Sequence, residues 1–484
     1  MSWPMQKEEF MTPADISRVP RGTAVVIGGS IAGCAAAAAL HEHYERVVIV
    51  DRDELPTGRQ ERKGVPHAHQ YHALNLAGRR ALEELFPGVF EQAIADGVPV
   101  MDPTDKMRYC SKFGWFPTQP SAMRSLLLTR VYLESILRDR TRGSSAVQVL
   151  ERTVVKGLLA TDGVVTGVEV ADVATGQSRI VDADFVVDAS GRASSASDWL
   201  AALGYPRPIE SVVNAKWGYV TTYVRPGPNW SPDYQALYVG PTLTGDGPLA
   251  TRGAAAWEQE DGLWVLTAQG CAADYPSANE SEFREFLSSF GRPEFQDLLD
   301  KAEIVRPLVA WRNTTNLRRD YAGLSSRPER FVILGDATAA FNPVYGQGMA
   351  AAAVSARLLR DELRSWFGSS GEDLTGFAER YQKQIDGAVI QGCWNFSVGS
   401  DFNVPGVEVD GVPYQAERSQ EQEFADRVLA LATEDLDVHL KLMEMIQMVR
   451  GPEWMGAEDV RAKVLADWDR LGGLSRIDEA DSVS

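Results

Sequence analysis

The chain has 484 residues, 44% of them hydrophobic and 24% charged, a composition typical of a globular protein and not of a disordered, collagen-like or coiled-coil chain. Its length predicts two or three domains, each large enough to bury a core without disulfides. Acidic residues outnumber basic ones by 67 to 48, and because the resulting net charge of −19 repels phosphate groups and anionic lipids, we expect neither a nucleic-acid nor a membrane partner.

The N-terminal residues 1–22 carry several charged side chains where a signal peptide would need an unbroken apolar stretch, so we expect a flexible, solvated tail. The most apolar stretches, 35–40 and 349–356, fall well short of the ~20 residues that span a bilayer. The four cysteines are far apart, which fits reduced thiols better than a disulfide framework or a zinc site. These features together predict a cytoplasmic protein.

The first motif with chemical meaning follows that tail. Residues 23–27 form a short apolar run, and the sequence Gly-Gly-Ser-Ile-Ala-Gly, an alanine-rich stretch and a second apolar run at 47–50 come after it. This order predicts a βαβ unit in which a helix N-terminus faces a pyrophosphate. Gly28 permits the tight turn, Gly33 allows the helix to pack closely on the strand, and Asp51 is placed to accept hydrogen bonds from a ribose.

Ser30 stands where the usual G-x-G-x-x-G pattern has its middle glycine. Either its hydroxyl donates to the phosphate, or the turn has lost its nucleotide and only packs a helix. The first interpretation is favoured because Asp51 and both flanking strands are intact. The expected cofactor-binding residues of this unit are Gly28, Ser30, Ile31, Ala32, Gly33, Asp51 and Arg52.

Two later segments also consist of an apolar run followed by a turn that contains glycine and aspartate. The apolar run 184–187 leads into the sequence Asp-Ala-Ser-Gly-Arg at 188–192, and the run 331–334 leads into Gly335 and Asp336. The segment 341–349 then reads Phe-Asn-Pro-Val-Tyr-Gly-Gln-Gly-Met and opens a helix of small residues. Junctions spread over more than 300 residues suggest one nucleotide site assembled from distant pieces.

This set of junctions resembles the flavoprotein monooxygenases of the p-hydroxybenzoate hydroxylase type, in which the three motifs surround one FAD. The segments 62–66 (Arg-Lys-Gly-Val-Pro), 82–88, 188–192 and 341–349 look most similar to the actinobacterial FAD-dependent epoxidases and hydroxylases of polyketide biosynthesis, including the polyether-forming epoxidases. The resemblance covers about residues 23–450. It departs after the proline of 62–66, where this chain reads His-Ala-His-Gln-Tyr-His and the relatives usually carry a glutamine.

The resemblance implies an α/β fold, with a Rossmann-like FAD-binding domain of the GR2 type interleaved with an antiparallel β-sheet substrate domain and followed by C-terminal helices. Alternating aromatic and β-branched runs within 206–270 are typical of such a sheet, and apolar residues at three- and four-residue spacing within 424–449 indicate amphipathic helices. The expected divisions are a tail (1–22), an FAD-binding domain (23–75, 120–205 and 305–365), a substrate domain (76–119 and 206–304) and a C-terminal helical region (366–484).

The same resemblance extends the list of cofactor-binding residues. Asp336 would accept a hydrogen bond from a ribityl hydroxyl while also capping the next helix. The helix that starts at Gly348 would direct its positive end at the flavin edge where negative charge collects on reduction. The additional cofactor contacts expected are Arg62, Lys63, Arg130, Gly335, Asp336, Pro343, Gly346, Gln347, Gly348 and Met349, with Pro343, Gly346 and Gly348 nearest the isoalloxazine.

Some of these side chains have plainer interpretations. Arg62 is a cofactor contact by resemblance, and an ordinary surface arginine without it. Arg192 has two interpretations. It either binds the pyrophosphate or closes the domains, or it is simply a cation at the start of a helix. His67, His69 and His72 lack a carboxylate or cysteine at ligand spacing, so we expect polar loop residues near the flavin and no metal site.

The sequence therefore predicts a flavin-dependent monooxygenase that epoxidises or hydroxylates a large hydrophobic metabolite of the polyketide or polyene class. Dioxygen is the co-substrate, NAD(P)H or a separate flavin reductase supplies electrons, and the flavin hydroperoxide delivers the oxygen atom, so no side chain is assigned as catalytic. The alternative is a non-redox cyclase that retains FAD as a scaffold. Flavin halogenation is disfavoured, because it needs a lysine over the flavin and a Trp-x-Trp-x-Ile-Pro segment, which Gly-Trp-Phe-Pro at 114–117 is not.

Overall fold

The computed structural model describes residues 21–243, 247–414 and 419–473. The strands in these ranges are β1 (Arg21–Ile27), β2 (Tyr44–Val50), β3 (Val100–Met101), β4 (Met107–Ser111), β5 (Gly114–Trp115), β6 (Ser125–Leu126), β7 (Val147–Leu150), β8 (Thr153–Thr161), β9 (Val164–Asp172), β10 (Ser178–Asp182), β11 (Phe185–Asp188), β12 (Glu210–Asn214), β13 (Gly218–Pro226), β14 (Ala236–Val239), β15 (Arg252–Glu258), β16 (Trp264–Gly270), β17 (Ala302–Ile304), β18 (Val309–Trp311), β19 (Asn316–Arg319), β20 (Phe331–Ile333), β21 (Ala339–Ala340) and β22 (Glu408–Asp410).

The α-helices of the same ranges are α1 (Ile31–Leu40), α2 (Leu76–Leu85), α3 (Val89–Ala95), α4 (Arg130–Arg142), α5 (Ala196–Ala202), α6 (Glu280–Ser288), α7 (Pro293–Asp300), α8 (Gly348–Ser370), α9 (Phe377–Ile385), α10 (Gln391–Asp401), α11 (Gln420–Leu431), α12 (Leu436–Ile446), α13 (Glu458–Ala466) and α14 (Trp468–Gly473). Short 3-10 turns at Gly335–Ala337 and Pro343–Tyr345 follow β20 and β21. No helix among the described residues combines the length and apolar character needed to cross a bilayer.

A five-stranded parallel sheet with the order β20-β11-β1-β2-β7 holds the three junctions together. Its central strands are apolar and buried on both faces, as parallel sheets covered by helices require. In the register, Ile27 pairs with both Val50 and Asp188, and Asp188 pairs with Ile333. The carboxyl ends of four strands therefore meet along one edge of the sheet.

Helices of small residues cover one face of this sheet. The alanine-rich helix α1 is buried along nearly its whole length and packs against α8, which in turn packs against α2. Helices α2 and α8 are so close that a Cβ atom at Gly78 of α2 would lie 2.6 Å from the Cα atom of Ala350 in α8. Small side chains let the helix backbones approach one another, so this layer is thin and densely packed.

An eight-stranded sheet forms the second layer, with the order β17-β13-β16-β15-β14-β4-β5 and with β18 also paired to β13. Its strands alternate between two faces with a period of two residues. In β16, Leu266 and Ala268 pack with α6 and α7 in an apolar core, whereas Thr267 and Gln269 lie on the opposite face, which lines a cavity. Most pairs are antiparallel, although β14 and β4 run parallel.

The predicted α/β architecture is confirmed, and several expected boundaries need correction. The first strand begins at Arg21 and not at residue 23. Residues 76–95 were expected in the substrate domain, but α2 and α3 bury Leu82 and Phe90 in the core beneath the parallel sheet. Amphipathic spacing shows that a helix has an apolar face without showing which partner covers that face. The rest of the predicted tail, 1–20, and the chain end after 473 lie outside the described residues.

The C-terminal boundary also differs from the expectation. Helix α8 continues to Ser370, beyond the predicted division at 365, and the region 366–484 is not entirely helical because β22 joins β12, β19 and β21 in a four-stranded sheet. Helices α11 to α14 form a separate apolar cluster with Phe113 and Phe116 of the β4–β5 hairpin. This cluster, which we call the helical cap, covers the open side of the cavity.

Gly33 provides a test of the contact between α1 and the parallel sheet. A Cβ atom there would lie 1.8 Å from the backbone oxygen of Gly28. Gly33→Ala should therefore destabilise the protein by about 1–3 kcal/mol and lower the midpoint of thermal unfolding at a fixed scan rate. The matched control is Gly392→Ala in α10, where nothing lies within 4 Å of an added Cβ and the midpoint should stay the same or rise slightly. Equal midpoints for Gly33→Ala and the parent would contradict the packing argument.

Candidate functional site

A cavity of about 940 Å³ extends from the carboxyl edge of the parallel sheet to the inner face of the eight-stranded sheet. We call the part lined by the turns after β1, β2, β11 and β20, the loop 62–67 and the segment 341–349 the cofactor half. We call the part lined by β4, the β4–β5 turn, β13 to β16, α11 and α12 the sheet half. The two halves are continuous, so a ligand in one can touch a ligand in the other.

Most of the predicted cofactor-binding residues line the cofactor half. They are Gly28, Ser30, Ile31, Ala32, Asp51, Arg52, Arg62, Arg130, Asp336, Pro343, Gly346, Gly348 and Met349. Four others are not among the residues that line the cavity, and their contact with the cofactor stays a prediction. Gly33 and Gly335 pack α1 against its neighbours, Lys63 is exposed, and Gln347 is buried at the start of α8.

The glycine turn after β1 forms an anion-binding geometry. Gly28 has a φ of +99°, and a Cβ atom there would lie 2.7 Å from the backbone oxygen of Ala189, so a side chain would be both strained and obstructed. The Ser30 side chain caps no amide of α1. Arg130 Nη2 instead donates to Ser30 Oγ at 3.0 Å and adds a cation to the positive end of the helix. Amides and a guanidinium therefore converge where a pyrophosphate is expected.

Asp51 and Arg62 form a buried charged cluster beside this turn. The Asp51 carboxylate accepts the backbone amides of Gly29 at 2.7 Å and Asp53 at 2.8 Å. Arg62 contacts the carboxylates of Asp51, Asp53 and Glu134 at 2.8–3.3 Å, and only 8% of its side chain is exposed. Burial opposes its charge, but these three carboxylates raise the pKa of Arg62. Arg62 is thus an internal cation that holds Asp51 in place and not a surface arginine.

Asp336 points into the cavity beside the start of α8. Its Oδ1 atom would lie 3.6 Å from a Cβ atom on Gly348. Burial raises the pKa of Asp336, while the guanidinium groups of Arg130 and Arg192 favour its charged form. Within 21–243, 247–414 and 419–473 no group donates a hydrogen bond to this carboxylate. The buried Nε of Arg130 has no hydrogen-bond acceptor in these ranges, although it lies 3.7 Å from Glu134 Oε2.

Such orphaned groups fit a ligand with hydroxyl donors and an anionic centre. A dinucleotide like FAD, which carries a ribityl chain and a pyrophosphate, satisfies both. Arg192 lines the same region, and its guanidinium donates to the backbone oxygen of Thr315. That contact ties the turn after β11 to the β18–β19 connection, which favours the interpretation of Arg192 as a residue that closes the site.

Asp401 was missed by the sequence analysis, although it supports the loop that the motif 341–349 forms. This carboxylate at the end of α10 is fully buried and accepts hydrogen bonds from Tyr345 at 2.7 Å, Asn316 at 2.7 Å and Trp217 at 2.9 Å. It also accepts from Asn342 at 3.1 Å. Burial raises the pKa of Asp401 to about 6 despite these donors.

Three of the Asp401 donors fix the path of the chain from β19 to α8. The Asn342 side chain also accepts the amide of Val344, and Gly346, with a φ of +68°, ends the 3-10 turn that leads into the helix. The opposite side of this loop lines the cavity. No sequence signal marks Asp401, because its partners lie 56 to 184 residues away.

The three histidines of the loop after the Arg-Lys-Gly-Val-Pro motif occupy different places. His67 and His72 line the cofactor half, and the His67 ring lies 5.4 Å from the ring of Trp311. Burial and nearby arginines lower the pKa of His67 to about 2, and burial lowers that of His72 to about 3, so both are neutral. His69 instead contacts Glu61 and the backbone oxygen of Pro307. No group of three or more potential ligand side chains in the described ranges is arranged around a metal position.

The sheet half is predominantly aromatic and aliphatic. Tyr109, Tyr219, Tyr238 and Trp257 project from the strands, and helix α12 contributes several apolar side chains, among them Leu442, Met443, Met445 and Ile446. Lys112 and Asp426 join the β4–β5 turn to α11 through an ion pair of 2.8 Å. Flexible methionines and rigid aromatic rings together suit a bulky apolar ligand.

Comparisons with known proteins agree with this geometry. The family model described as FAD binding domain matches residues 21–380. Protein Rv3254 of Mycobacterium tuberculosis (strain ATCC 25618 / H37Rv) is 31% identical over 355 residues, which are 72% of this chain and 74% of that protein.

Solved structures show the same fold at low sequence identity. The p-nitrophenol 4-monooxygenase PnpA from Pseudomonas putida DLL-E4 is 17% identical with a TM-score of 0.61, and the alignment covers 89% of this chain and 99% of PnpA. The flavin-dependent halogenase CmlS has the same identity and TM-score and covers 93% of this chain and 78% of CmlS. At such identities the likeness concerns the fold alone.

Asp336 gives a direct test of the cofactor half. Asp336→Ala removes a charged acceptor whose hydrogen bonds to a ligand are each worth about 1.5–3 kcal/mol, so FAD affinity should fall about tenfold or more. Titration of the apoprotein with FAD, followed by flavin fluorescence, measures the change. Glu372→Ala, which alters an exposed carboxylate after α8, serves as the control. An Asp336→Ala variant with parental affinity would show that this carboxylate does not contact the cofactor.

Asp401 should make stability depend on pH. Its pKa of about 6 in the folded protein exceeds the ordinary value of 3.8, so the folded state binds this proton more tightly and loses that advantage as pH rises through 6. The parent should therefore lose up to about 3 kcal/mol of unfolding free energy relative to Asp401→Asn as the carboxyl ionises. Urea unfolding in a pH series from about 3.5 to 7.5, which spans both pKa values, measures the difference. A pH-independent difference, like that expected for the exposed control Asp410→Asn, would contradict this assignment.

Proposed function

The chain belongs to the FAD binding domain family, and from that membership we propose that it is a flavin-dependent monooxygenase that epoxidises or hydroxylates a large hydrophobic metabolite of the polyketide or polyene class. FAD is its cofactor. The observation that carries the proposal is the continuity of the cavity, because one end has the groups that a flavin dinucleotide needs and the other is a large apolar chamber. A cofactor and a bulky substrate could meet there away from bulk water.

The residues of the cofactor half have distinct tasks in this proposal. The turn at Gly28, the N-terminus of α1 and Arg130 hold the pyrophosphate, and Asp336 accepts a hydrogen bond from the ribityl chain. When bound, FAD supplies the redox chemistry and the activation of dioxygen. The N-terminus of α8, which begins at Gly348 on the cavity wall, stabilises negative charge that develops beside it.

The sheet half binds the substrate and excludes water. The aromatic residues of β4, β13, β14 and β15 form its floor, and the helical cap closes it through α11 and α12. Burial of an apolar substrate against these side chains provides most of the binding free energy, at about 25 cal/mol per Å². The methionines of α12 can adjust to substrates of different outline.

Halogenases and monooxygenases share this fold, so a specific observation must choose between them. Lys112 is the lysine that lines the cavity in the described part of the chain, and its ammonium group is engaged by Asp426 at 2.8 Å beneath the cap. An engaged lysine on that side supports oxygen transfer to carbon over halogenation. The described strands contain one parallel sheet of the nucleotide-binding kind, so electrons would come from NAD(P)H that binds transiently or from a separate flavin reductase.

Oxygen labelling tests the proposal. The holoenzyme is incubated with a reductant system and a panel of polyenes and polycyclic phenols under ¹⁸O₂, and the products are analysed by mass spectrometry. A monooxygenase should place one labelled atom in the product and should consume dioxygen in step with it.

The controls separate the other activities. Labelled water with ordinary dioxygen should give no incorporation, and added bromide should give no brominated product. Turnover in an anaerobic, unreduced sample would instead establish a non-redox cyclase, and bromination would establish a halogenase.

A further inference from the structure

We propose that Tyr238 and Gln269 form a polar subsite in the sheet half that binds an uncharged group able both to donate and to accept a hydrogen bond, such as a hydroxyl or a carboxamide. The inference rests on the proposed function, because it specifies the substrate of the same cavity. It assigns to two strand residues the task of orienting that substrate.

The pair lies on the inner face of the eight-stranded sheet. Tyr238 belongs to β14 and Gln269 to β16, on either side of β15, and Gln269 Nε2 donates to the Tyr238 hydroxyl oxygen at 3.0 Å. Both side chains line the cavity, while their strand neighbours Leu237 and Ala268 pack in the core on the opposite face. Gly253 of β15 leaves room between them, since a Cβ atom there would lie 3.2 Å from Gln269 Nε2.

The hydrogen-bonding capacity of this pair is incomplete. Gln269 is 5% exposed, and its amide oxygen accepts no hydrogen bond from the residues that the structure describes. The Tyr238 hydroxyl oxygen accepts the hydrogen bond from the Gln269 amide. The hydroxyl O–H itself finds no acceptor among those residues. If the side-chain amide of Gln269 is rotated by about 180°, so that its oxygen and nitrogen exchange places, the Tyr238 hydroxyl donates to the amide oxygen. The amide N–H groups and a lone pair of the tyrosine oxygen are then unused. In both orientations the pair therefore offers at least one donor and one acceptor to a ligand.

A ligand in the cavity supplies the missing partners. Buried polar groups in proteins are almost always hydrogen-bonded, so a donor and an acceptor left side by side favour a ligand group with the complementary pair. A hydroxyl provides both functions on one atom, and a carboxamide provides them on two. A purely hydrocarbon ligand would leave both unsatisfied.

An anionic ligand group is disfavoured at this position. The charged side chains of the sheet half are Lys112 and Asp426, and each neutralises the other at 2.8 Å. A carboxylate placed beside Tyr238 would lose its hydration without gaining a counterion. The ring of Tyr109 meets that of Tyr238 edge to face at 5.0 Å, so the surroundings of the subsite are aromatic and uncharged.

The subsite also lies near the loop between β21 and α8. Tyr238 and Tyr345 both line the cavity, and Tyr238 is one of the groups that raise the pKa of Tyr345. A ligand group fixed at Tyr238 therefore has a defined position relative to the loop that borders the cofactor half. The pair can select which part of an apolar substrate is presented there.

Binding of four matched probes tests the proposal. The holoenzyme is titrated with 2-naphthol, 2-methylnaphthalene, 2-naphthamide and 2-naphthoate, and binding is followed by the perturbation of flavin absorbance. The parent should bind 2-naphthol at least about fivefold more tightly than 2-methylnaphthalene, as expected for one or two neutral hydrogen bonds. It should bind 2-naphthamide at least about tenfold more tightly than the isosteric 2-naphthoate.

Two variants and a control assign these preferences to the pair. Tyr238→Phe and Gln269→Leu should each bring the naphthol preference to within about twofold while the affinity for 2-methylnaphthalene is retained. Tyr234→Phe removes a hydroxyl from the opposite face of the same sheet and should keep the parental preference.

Several results would overturn the proposal. They are an undiminished preference in both variants, equal or tighter binding of 2-naphthoate by the parent, and no binding of any probe up to its solubility limit. The parental ratios test the proposal even where a variant loses its fold. Failure of the proposed function is a separate result, since it appears as the absence of ¹⁸O incorporation and does not alter these binding ratios.

Discussion

The register of the parallel sheet is the constraint on which the site depends. Ile27 lies opposite both Val50 and Asp188, and Asp188 lies opposite Ile333, so four strands end at the same level. Parallel strands place their carboxyl ends on one edge, and the turns that follow them then share one crevice. A one-residue slip of any strand would turn its side chains to the other face and separate the junctions. Segments more than 300 residues apart therefore act as one binding surface only because the apolar faces of the strands fix this register.

Local charge, and not the net charge of −19, decides what this crevice attracts. Four arginines, Arg52, Arg62, Arg130 and Arg192, line the cofactor half, and Arg130 contacts Ser30 at the start of α1. Part of that charge is neutralised within the protein, as Arg62 is by Asp51, Asp53 and Glu134. The buried Nε of Arg130, next to the glycine turn, has no hydrogen-bond acceptor and lies 3.7 Å from the Glu134 carboxylate. An acidic protein can thus hold an anionic dinucleotide, because short-range hydrogen bonds and helix ends outweigh a screened long-range field.

The sequence was most informative where chemistry depends on contiguous residues. The turn at Gly28 and the segment 341–349 could be recognised because the backbone geometry they require permits few residue types. Asp401 could not be recognised, since a buried carboxylate is identified by its donors, and Trp217 before β13 and Asn316 of β19 reach it only once their segments pack against the end of α10. The packing of 76–95 against the parallel sheet could not be predicted for a related reason. An amphipathic helix shows its apolar face, while the layer that covers this face is a property of the tertiary fold.

The polarity of the lining residues changes along the cavity, from a charged cofactor half to a largely apolar sheet half. At one end the charges belong to arginines and carboxylates that a dinucleotide can satisfy, and at the other the remaining ion pair, Lys112 with Asp426, is internally neutral. Tyr345 lies between them, with its hydroxyl fixed by Asp401 and its ring on the cavity wall. A charged ligand is favoured only at the first end and an uncharged one only at the second, because desolvation without a counterion is costly. The change in polarity therefore favours a dinucleotide at the first end and an uncharged ligand at the second, and the loop held by Asp401 lies on the wall of the first.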